Sequence, residues 1–138
     1  MARIDDGFST TISLGGVVLW EKSITPPSID GGGENDTTTM RNSNWRTRAP
    51  KKLKTLGESS FTAAYDPAAY TSLLSQINVN QSITITFANG ATLQFWGWLN
   101  SFEPSEVQEG EQPEATVTII PSNQDASGNE VAPVYTAP

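Results

Sequence analysis

The sequence predicts a mainly β fold of the α+β class: a small antiparallel β-barrel or sandwich with one flanking α-helix and a long polar loop arm near the N-terminus. Apolar and polar residues alternate over 55–65, 81–88 and 115–120, the pattern of strands with one buried face. Asn89-Gly90 follows the second of these runs and predicts a β-hairpin. Only residues 66–77 repeat their apolar positions with a helical period, so a single helix is expected.

The length and composition indicate one domain without catalytic chemistry. We place this domain at residues 1–138, with an extended arm at 28–54 and a C-terminal tail at 122–138. The chain has neither Cys nor His, so thiolate chemistry, the commonest general base and the commonest metal ligand are absent. We therefore expect a protein that is not an enzyme and holds no cofactor.

No stretch of the sequence has the character of a membrane or export segment. The first residues lack the apolar region of a signal peptide, and no run approaches 18 apolar residues. A soluble protein that is made in the cytoplasm and does not contact a membrane is therefore expected.

The charges are divided unequally along the chain. All eight Lys and Arg residues lie in residues 1–54, which also carry six acids and sum to +2; residues 55–138 carry nine acids and no base, which sums to −9. A chain divided in this way can meet copies of itself through opposite charges, or turn an acidic surface toward a molecule that it must not bind.

The N-terminal region has β character. Residues 9–25 are rich in β-branched residues and are interrupted by Gly15-Gly16, which predicts a hairpin-like pair or one bent strand with the glycines at a turn or bulge. Pro26-Pro27 ends this segment, because neither proline can donate a hydrogen bond to a ladder.

The arm at 28–54 is polar, glycine-rich and basic toward its end. Two interpretations stay open: a solvated flexible loop, or a segment that becomes ordered against a partner and so shields Met40 and Trp45 from water. The second interpretation pairs the arm with the acidic loop at 103–114 of another copy. The predicted subunit-interface residues are Arg41, Trp45, Arg46, Arg48, Lys51, Lys52 and Lys54 in the arm and Glu103, Glu106, Glu109 and Glu111 in the acidic loop.

The helix has a clear start and a clear apolar stripe. Asp66 can accept hydrogen bonds from the first turn, and Pro67 loses none at the first helical position. Apolar residues then recur at 70, 73, 74 and 77, which predicts a helix of about twelve residues packed on the core by one face. On this basis, Leu74→Ala should cost about 2–5 kcal/mol.

The second half of the chain predicts the core. A type I′ turn at Asn89-Gly90 should join the strand at 81–88 to one at 91–102, where Trp96 and Trp98 point away from the apolar face. A last strand follows at 115–120, and the tail beyond Pro121 should be poorly ordered unless a neighbour holds it. The predicted core residues are Phe61, Tyr70, Leu73, Leu74, Ile77, Ile83, Ile85, Phe87, Leu93, Phe95, Leu99, Val117 and Ile119.

Several groupings of residues suggest other functions. Pairs of carboxylates, at Glu109 with Glu111 and at Asp5 with Asp6, could act as acid and base, but clustered acids on a loop are more often solvated. Asp30, Glu34 and Asp36 have a loose spacing for Ca²⁺ without the EF-hand order. The basic end of the arm could bind nucleic acid, although the net charge of −7 opposes this, and Trp96 with Trp98 could stack on sugar rings.

One succession of segments resembles a known family. Gly57-Glu-Ser-Ser-Phe-Thr62 precedes Tyr65-Asp66-Pro67 and the helix. Then come Ile83-Thr-Ile-Thr-Phe-Ala-Asn-Gly-Ala-Thr-Leu-Gln-Phe-Trp-Gly-Trp-Leu99 and Ala115-Thr-Val-Thr-Ile-Ile-Pro-Ser122. Over about half of the chain, this order resembles the major tail tube proteins of long-tailed, siphovirus-like bacteriophages, whose fold the type VI secretion tube proteins share.

The resemblance implies a structural virion protein. Such a subunit would assemble into stacked hexameric rings, forming a channel through which DNA passes during ejection without specific binding. The implied partners are further copies of the chain, the tape measure, the tail terminator and the distal tail protein, and the implied location is the virion tail. Thr84, Thr86, Thr92 and Gln94, on the polar side of the hairpin, are the candidates to face the channel.

Two alternatives remain open at this point. The first is a carbohydrate-binding or adhesion β-sandwich that uses Trp96 and Trp98. The second is another virion component, such as a tail terminator or a capsid decoration protein.

Overall fold

The computed structural model describes residues 7–14 and 20–138 and confirms the predicted fold class, a mainly β fold with a single short helix. The elements are β1 (Thr11–Leu14), β2 (Trp20–Thr25), β3 (Ile29–Asp30), β4 (Glu34–Asp36), β5 (Arg48–Pro50), β6 (Thr55–Leu56), β7 (Ser59–Ala64), α1 (Tyr70–Gln76), β8 (Gln81–Thr86), β9 (Thr92–Pro104), β10 (Glu114–Pro121) and β11 (Val134–Thr136).

Seven strands form one antiparallel sheet in the order β1-β8-β9-β10-β7-β2, with β11 pairing to β9. The sheet curls, since the strands at its two ends, β1 and β2, contact each other. At this contact the backbone N–H of Ile12 donates to Oε1 of Glu21 at 3.3 Å. A side-chain carboxylate thus satisfies a donor of the edge strand β1 where no ladder forms.

The long strand β9 is the centre of the sheet. Its first half pairs with β8 on one edge and with β11 on the other, and its second half pairs with β10. A bulge between Thr118 and Ile119 of β10 shifts the register along this second half. Gly97 lies where the two halves meet, and a Cβ there would come within 2.6 Å of the Ile120 carbonyl oxygen. The absence of a side chain at this position allows β9 and β10 to approach.

The core lies on one face of the curled sheet and is closed by the helix. Eight predicted core residues are fully buried: Phe61, Leu73, Ile83, Ile85, Phe95, Leu99, Val117 and Ile119. Ile77 and Phe87 pack against them while partly buried, and Leu93 is half-buried. The strand β1 adds Ile12 and Leu14, which were not predicted.

Two predicted core residues lie at the surface instead. Tyr70 is 48% exposed and Leu74 is 60% exposed, whereas Leu73 between them in the stripe is buried. The short helix contacts the sheet along the side that carries Ala69 and Leu73, with Ile77 partly buried, so Tyr70 and Leu74 face outward. The prediction that Leu74→Ala would empty a core position was therefore wrong.

The helix begins as predicted but is shorter. Asp66 accepts a hydrogen bond from the backbone N–H of Ala68 at 3.0 Å, and a 3₁₀ turn over Pro67–Ala69 leads into α1. Ile77 is already extended and Asn78 has a positive φ of 63°. The chain turns there because the backbone N–H of Asn78 donates to the Leu99 carbonyl and so joins the end of α1 to β9.

The hairpin between β8 and β9 is present with a different turn. The backbone N–H of Gly90 donates to the Phe87 carbonyl at 3.0 Å, and Phe87 in turn donates to Ala91 at 2.8 Å. Gly90 has a φ of 89° but Asn89 is not in the left-handed region, as a type I′ turn would require. The arrangement is a three-residue loop closed by glycine, in which the Asn89 side chain accepts a hydrogen bond from Ala91.

Of the two predicted alternatives for residues 9–25, a hairpin-like pair or one bent strand, the hairpin-like pair is wrong, because the two N-terminal strands do not pair with each other. β1 pairs with β8 and β2 pairs with β7, so that they occupy opposite ends of the sheet. Ile12 and Leu14 reach the core through this distant pairing. The predicted turn or bulge at Gly15-Gly16 and the acid pair Asp5 with Asp6 lie outside the described residues.

The arm is a β-ribbon rather than an irregular loop. β3 pairs with β6 at its base, and β4 pairs with β5 further out, where Glu34 lies opposite Pro50 and Asp36 opposite Arg48. These two short ladders are separate from the seven-stranded sheet. Main-chain hydrogen bonds therefore shape the arm without a buried side.

The C-terminal tail is held by its own chain. A turn closes where Gln124 and Glu130 form an isolated bridge, and β11 then pairs with the first residues of β9. Asn80 helps to fix this turn, because its side-chain amide donates to the Gln124 carbonyl at 2.9 Å. These contacts join the tail to its own chain, whereas the sequence predicts a tail that is poorly ordered unless a neighbour holds it.

Candidate assembly surfaces

The arm presents nearly all of the basic residues to solvent. The predicted interface residues Arg41, Trp45, Arg46, Arg48, Lys51, Lys52 and Lys54 are all exposed. Two of them are paired within the ribbon: Arg48 with Glu34 at 3.1 Å and Arg46 with Asp36 at 3.5 Å. Both pairs are exposed, which limits their strength to about 0–1 kcal/mol. The other four bases of the arm form no ion pair with any described residue: Arg41, Lys51, Lys52 and Lys54.

The arm tip, residues 37–47, is closed by hydrogen bonds across its base. The backbone N–H of Thr37 donates to the Thr47 carbonyl at 3.0 Å, and the Asn42 side chain donates to the Trp45 carbonyl at 2.7 Å. Hydrogen bonds from the hydroxyl and the backbone N–H of Thr38 lower the pKa of Asp36. The Thr38 hydroxyl has one proton and also lies 3.3 Å from the Thr47 carbonyl oxygen, to which it can donate instead. The backbone N–H of Thr38, 2.9 Å from Oδ1 of Asp36, has no such competing acceptor among the described residues and is the more secure of the two donors to Asp36.

The acidic loop joins β9 to β10 on the main body. All four predicted acids are exposed, but Glu103 belongs to β9, where it pairs with Thr116, and only Glu106, Glu109 and Glu111 lie on the loop. The loop is anchored at both ends, because Tyr65 donates from its backbone to the Pro113 carbonyl and Ser105 donates to the Glu114 carbonyl. No ion pair joins this loop to the arm within the described residues.

The face of the sheet opposite the core carries hydroxyl groups in cross-strand rows; we call it the hydroxyl face. One row joins Thr11, Thr86, Thr92 and Thr136 across β1, β8, β9 and β11, and the next joins Ser13, Thr84, Gln94 and the apolar Val134 across the same strands. On the other half, the rows are Thr25, Ser60, Thr118 and Ser101, and Ser23, Thr62, Thr116 and Glu103. The four channel candidates Thr84, Thr86, Thr92 and Gln94 thus form adjacent pairs, Thr84 with Gln94 and Thr86 with Thr92.

Part of this face was not predicted from the sequence. Thr11, Ser13 and Thr136 extend the predicted pairs onto β1 and β11, but their own segments show no sign of which strands they join. Trp96 and Trp98 share the face and are half-buried; Trp96 lies opposite Ser82 and Trp98 opposite Ile120. Glu103 is the one charged residue in the four rows named above, and it ends its row. Next to that row, Lys22 of β2 and Glu114 of β10 form an ion pair at 2.9 Å.

A third exposed surface is apolar. On α1, Tyr70 and Leu74 lie beside a small notch of about 50 Å³ that Leu73, Ile77 and Phe102 complete. The Tyr70 ring meets the Phe102 ring edge-on, with 6.2 Å between centroids. We call this surface the helix face. It lies close to the C-terminal end of the acidic loop, because the Tyr65 ring is 6.0 Å from the Phe102 ring and the Tyr65 backbone N–H donates to the Pro113 carbonyl. The Glu103 side chain points to the opposite face of the sheet.

Among residues 7–14 and 20–138, no three acidic side chains come together in a group that could hold a metal ion. The three acids considered for Ca²⁺ have separate partners in the ribbon: Asp30 accepts from the Gly32 backbone, Glu34 pairs with Arg48, and Asp36 pairs with Arg46. Glu109 and Glu111 are exposed on their loop. In the same ranges, no helix is long and apolar enough to cross a membrane.

Comparison with solved structures shows where this fold occurs. A chain in the virion of a native gene transfer agent particle is 13% identical and superimposes with a TM-score of 0.64, covering 96% of this chain and 99% of the other. A chain in the tail of an empty gene transfer agent particle, determined with C6 symmetry, is 12% identical with a TM-score of 0.58, covering 86% and 84%.

A third solved structure belongs to another particle. A chain in the six-fold symmetrised baseplate of the anti-feeding prophage is 7% identical with a TM-score of 0.63, covering 92% of this chain and 90% of that one. A scan against protein-family models and a search of curated proteins give no match. The chain therefore shares, over most of its length, a fold found in virion, tail and baseplate particles.

Proposed function

We propose that the protein is a structural subunit of a phage-like tail, and that copies of it form stacked hexameric rings around a channel for DNA. The observation that carries the proposal is the shared fold over 96% of this chain and 99% of a gene transfer agent virion chain. Two of the similar chains come from assemblies with six-fold symmetry, which supports six copies in a ring. The role is non-catalytic and requires no cofactor.

The hydroxyl face suits the wall of such a channel. Its rows are composed mainly of Thr and Ser, with the channel candidates Thr84, Thr86, Thr92 and Gln94 near their middle. Uncharged hydroxyls offer no fixed positive charge to hold phosphates, so DNA could move along them without being bound. The nine acids and no bases of residues 55–138 add to this effect.

The charge division suits contacts between copies. Within one copy the basic arm and the acidic loop form no ion pair among the described residues, and both are exposed. We assign to the arm the contact with the acidic loop of a neighbouring copy. The further partners that we propose are the tape measure, tail terminator and distal tail proteins, with assembly in the host cytoplasm and a final place in the virion tail. The unit that assembles is the whole of residues 1–138 as one domain.

Electron microscopy and light scattering of the purified protein test the proposal. We expect rings or tubes of uniform diameter, with a ring mass six times the 14.8 kDa of one chain. A stable monomer that binds glycans through Trp96 and Trp98 would overturn the proposal in favour of a carbohydrate-binding module. Isolated rings that never stack, even at high concentration, would point to a tail terminator or decoration protein.

A further inference from the structure

We propose that the helix face of one copy is the docking site for the arm tip of a second copy, with Met40 and Trp45 of the tip covering Tyr70 and Leu74. This inference rests on the proposed function, because it supposes that copies of the chain meet. It goes further by assigning the apolar part of the contact, which the pairing of opposite charges does not identify.

The helix face has the features of a surface that another molecule covers in an assembly. Tyr70 and Leu74 are 48% and 60% exposed on a helix of only seven residues. Tyr70 contacts the partly buried Phe102 ring edge-on, and both aromatic rings line the notch. Neighbouring large apolar side chains around a concave site mark an interaction surface more often than isolated exposed residues do.

The arm tip supplies apolar side chains of matching number. Met40 is fully exposed and Trp45 is 83% exposed. The hydrogen bonds of Thr37 with Thr47 and of Asn42 with Trp45 fix the backbone on which both are mounted. The backbone of the tip therefore needs little ordering when the tip binds, which favours affinity. Aromatic residues that are presented in this way are frequent anchors of interfaces.

Charge complementarity selects the occupant. The C-terminal end of the acidic loop reaches the helix face at Tyr65, whose ring lies 6.0 Å from Phe102 and whose backbone N–H donates to the Pro113 carbonyl. Residues 55–138 contain no base that could neutralise this loop. The arm tip carries Arg41, which forms no ion pair with any described residue, and Arg46, whose contact with Asp36 is exposed and 3.5 Å long. An apolar centre with a basic rim thus meets an apolar centre with an acidic rim, as in complementary interfaces.

The dimensions favour a division of roles at the contact. A notch of about 50 Å³ admits the unbranched end of a methionine but not an indole. We therefore assign Met40 to the notch and Trp45 to the surface formed by Tyr70 and Leu74. Because all four side chains are exposed in one copy, the contact cannot be one that the chain makes with itself.

Disulfide trapping between separate chains tests this contact directly. The chain has no cysteine, so each introduced thiol is the only one present. Chains with Trp45→Cys are mixed with chains carrying Leu74→Cys, assembled and oxidised. We expect a covalent dimer in the assembled fraction, which reductant dissolves. The matched control replaces Leu74→Cys by Val134→Cys, another half-exposed apolar position on the distant strand β11, and should give no dimer.

A charge variant provides the second readout. Leu74→Lys places a cation before the basic arm tip and removes apolar contact, so we expect the concentration needed for assembly to rise at least about tenfold. Ser72→Lys adds the same charge to an exposed position on a different side of α1 and should assemble like the unmodified chain. Both variants should unfold at the denaturant concentration of the unmodified protein.

The outcomes separate this inference from the proposed function. If tubes form but Trp45→Cys fails to couple with Leu74→Cys and Leu74→Lys assembles normally, the docking site is wrong while the tail role stands. That result would leave the helix face to a different tail protein. If the unmodified chain forms neither rings nor tubes, both the proposed function and the docking site are overturned.

Discussion

Adjacent residues of one helix have opposite importance for stability. Leu73 is 1% exposed in the core, whereas its neighbour Leu74 is 60% exposed. We expect Leu73→Ala to lower the free energy of unfolding by about 2–5 kcal/mol, and Leu74→Ala to change it by about 0.5 kcal/mol or less. Urea unfolding followed by tryptophan fluorescence measures both variants. Equal losses would show that the helix packs differently from the arrangement described above.

Gly97 is the position where a single methyl group should disturb the sheet most. A Cβ there would lie 2.6 Å from the Ile120 carbonyl oxygen and 3.0 Å from the Pro121 Cα, both in the backbone of β10. We expect Gly97→Ala to cost about 1–3 kcal/mol, because β9 and β10 must separate to admit it. Gly31→Ala is the matched control, since a Cβ at Gly31 meets nothing within 4 Å. Thermal unfolding should distinguish them, and similar midpoints would contradict the close approach.

At the scale of elements, the arm should govern assembly and leave the fold unchanged. Arg41, Lys51, Lys52 and Lys54 are exposed and form no ion pair with the described residues, so their reversal to Glu should not disturb the ribbon. We expect the charge-reversed protein to have the unfolding midpoint of the unmodified chain. Sedimentation should show that a smaller fraction of it assembles. Arg46 and Arg48 are left unchanged, because reversing them would set like charges against Asp36 and Glu34.

The matching Gln variants show whether charge sign is the cause. Substitution of the same four residues by Gln removes the attraction without adding repulsion, so an intermediate loss of assembly is expected. If both sets of variants assemble as the unmodified protein does, the arm does not pair with the acidic loop of a neighbour.

The sequence predicted those elements in which the burial or capping role of each side chain produces a pattern among neighbouring residues. The alternation at Ile83 and Ile85 and the cap at Asp66 each follow from neighbours in sequence, and the structure contains both features. The arm ribbon was missed because neither of its sides is buried, so its residues show no period of two. For β11, three residues are too few to show a pattern, and the partner strand lies some forty positions earlier.

The candidate surfaces were predictable only in part, for a related reason. Charge type is visible in the sequence, so the exposed basic arm and acidic loop could be identified. Exposure of Leu74 depends on which side of α1 meets the sheet, and the threonine row from Thr11 to Thr136 depends on pairings between distant strands. Neither is set by residues near it in the chain.

At the scale of the whole molecule, the division of charge makes assembly sensitive to salt while the fold is not. The core consists of apolar side chains, but the proposed contacts join a basic arm to an acidic loop. Raising ionic strength from about 0.05 to 0.5 M shortens the Debye length severalfold, so we expect assembly to weaken and the unfolding temperature to change little. Light scattering and calorimetry on the same samples measure the two. Assembly that strengthens with salt would instead indicate a mainly apolar contact.

The placement of β1 and β2 at opposite ends of the sheet has a consequence for the time course of folding. β1 leaves the ribosome some seventy residues before its partner β8, and β2 about forty residues before β7. Neither early strand can complete a ladder until its partner has been synthesised, and such distant pairings are slow to close. Nascent chains therefore pass through a period with unpaired N-terminal strands. During this period, these strands can pair with strands of other nascent copies and aggregate. Slow translation over 81–104, the segment that forms β8 and β9, would lengthen that period.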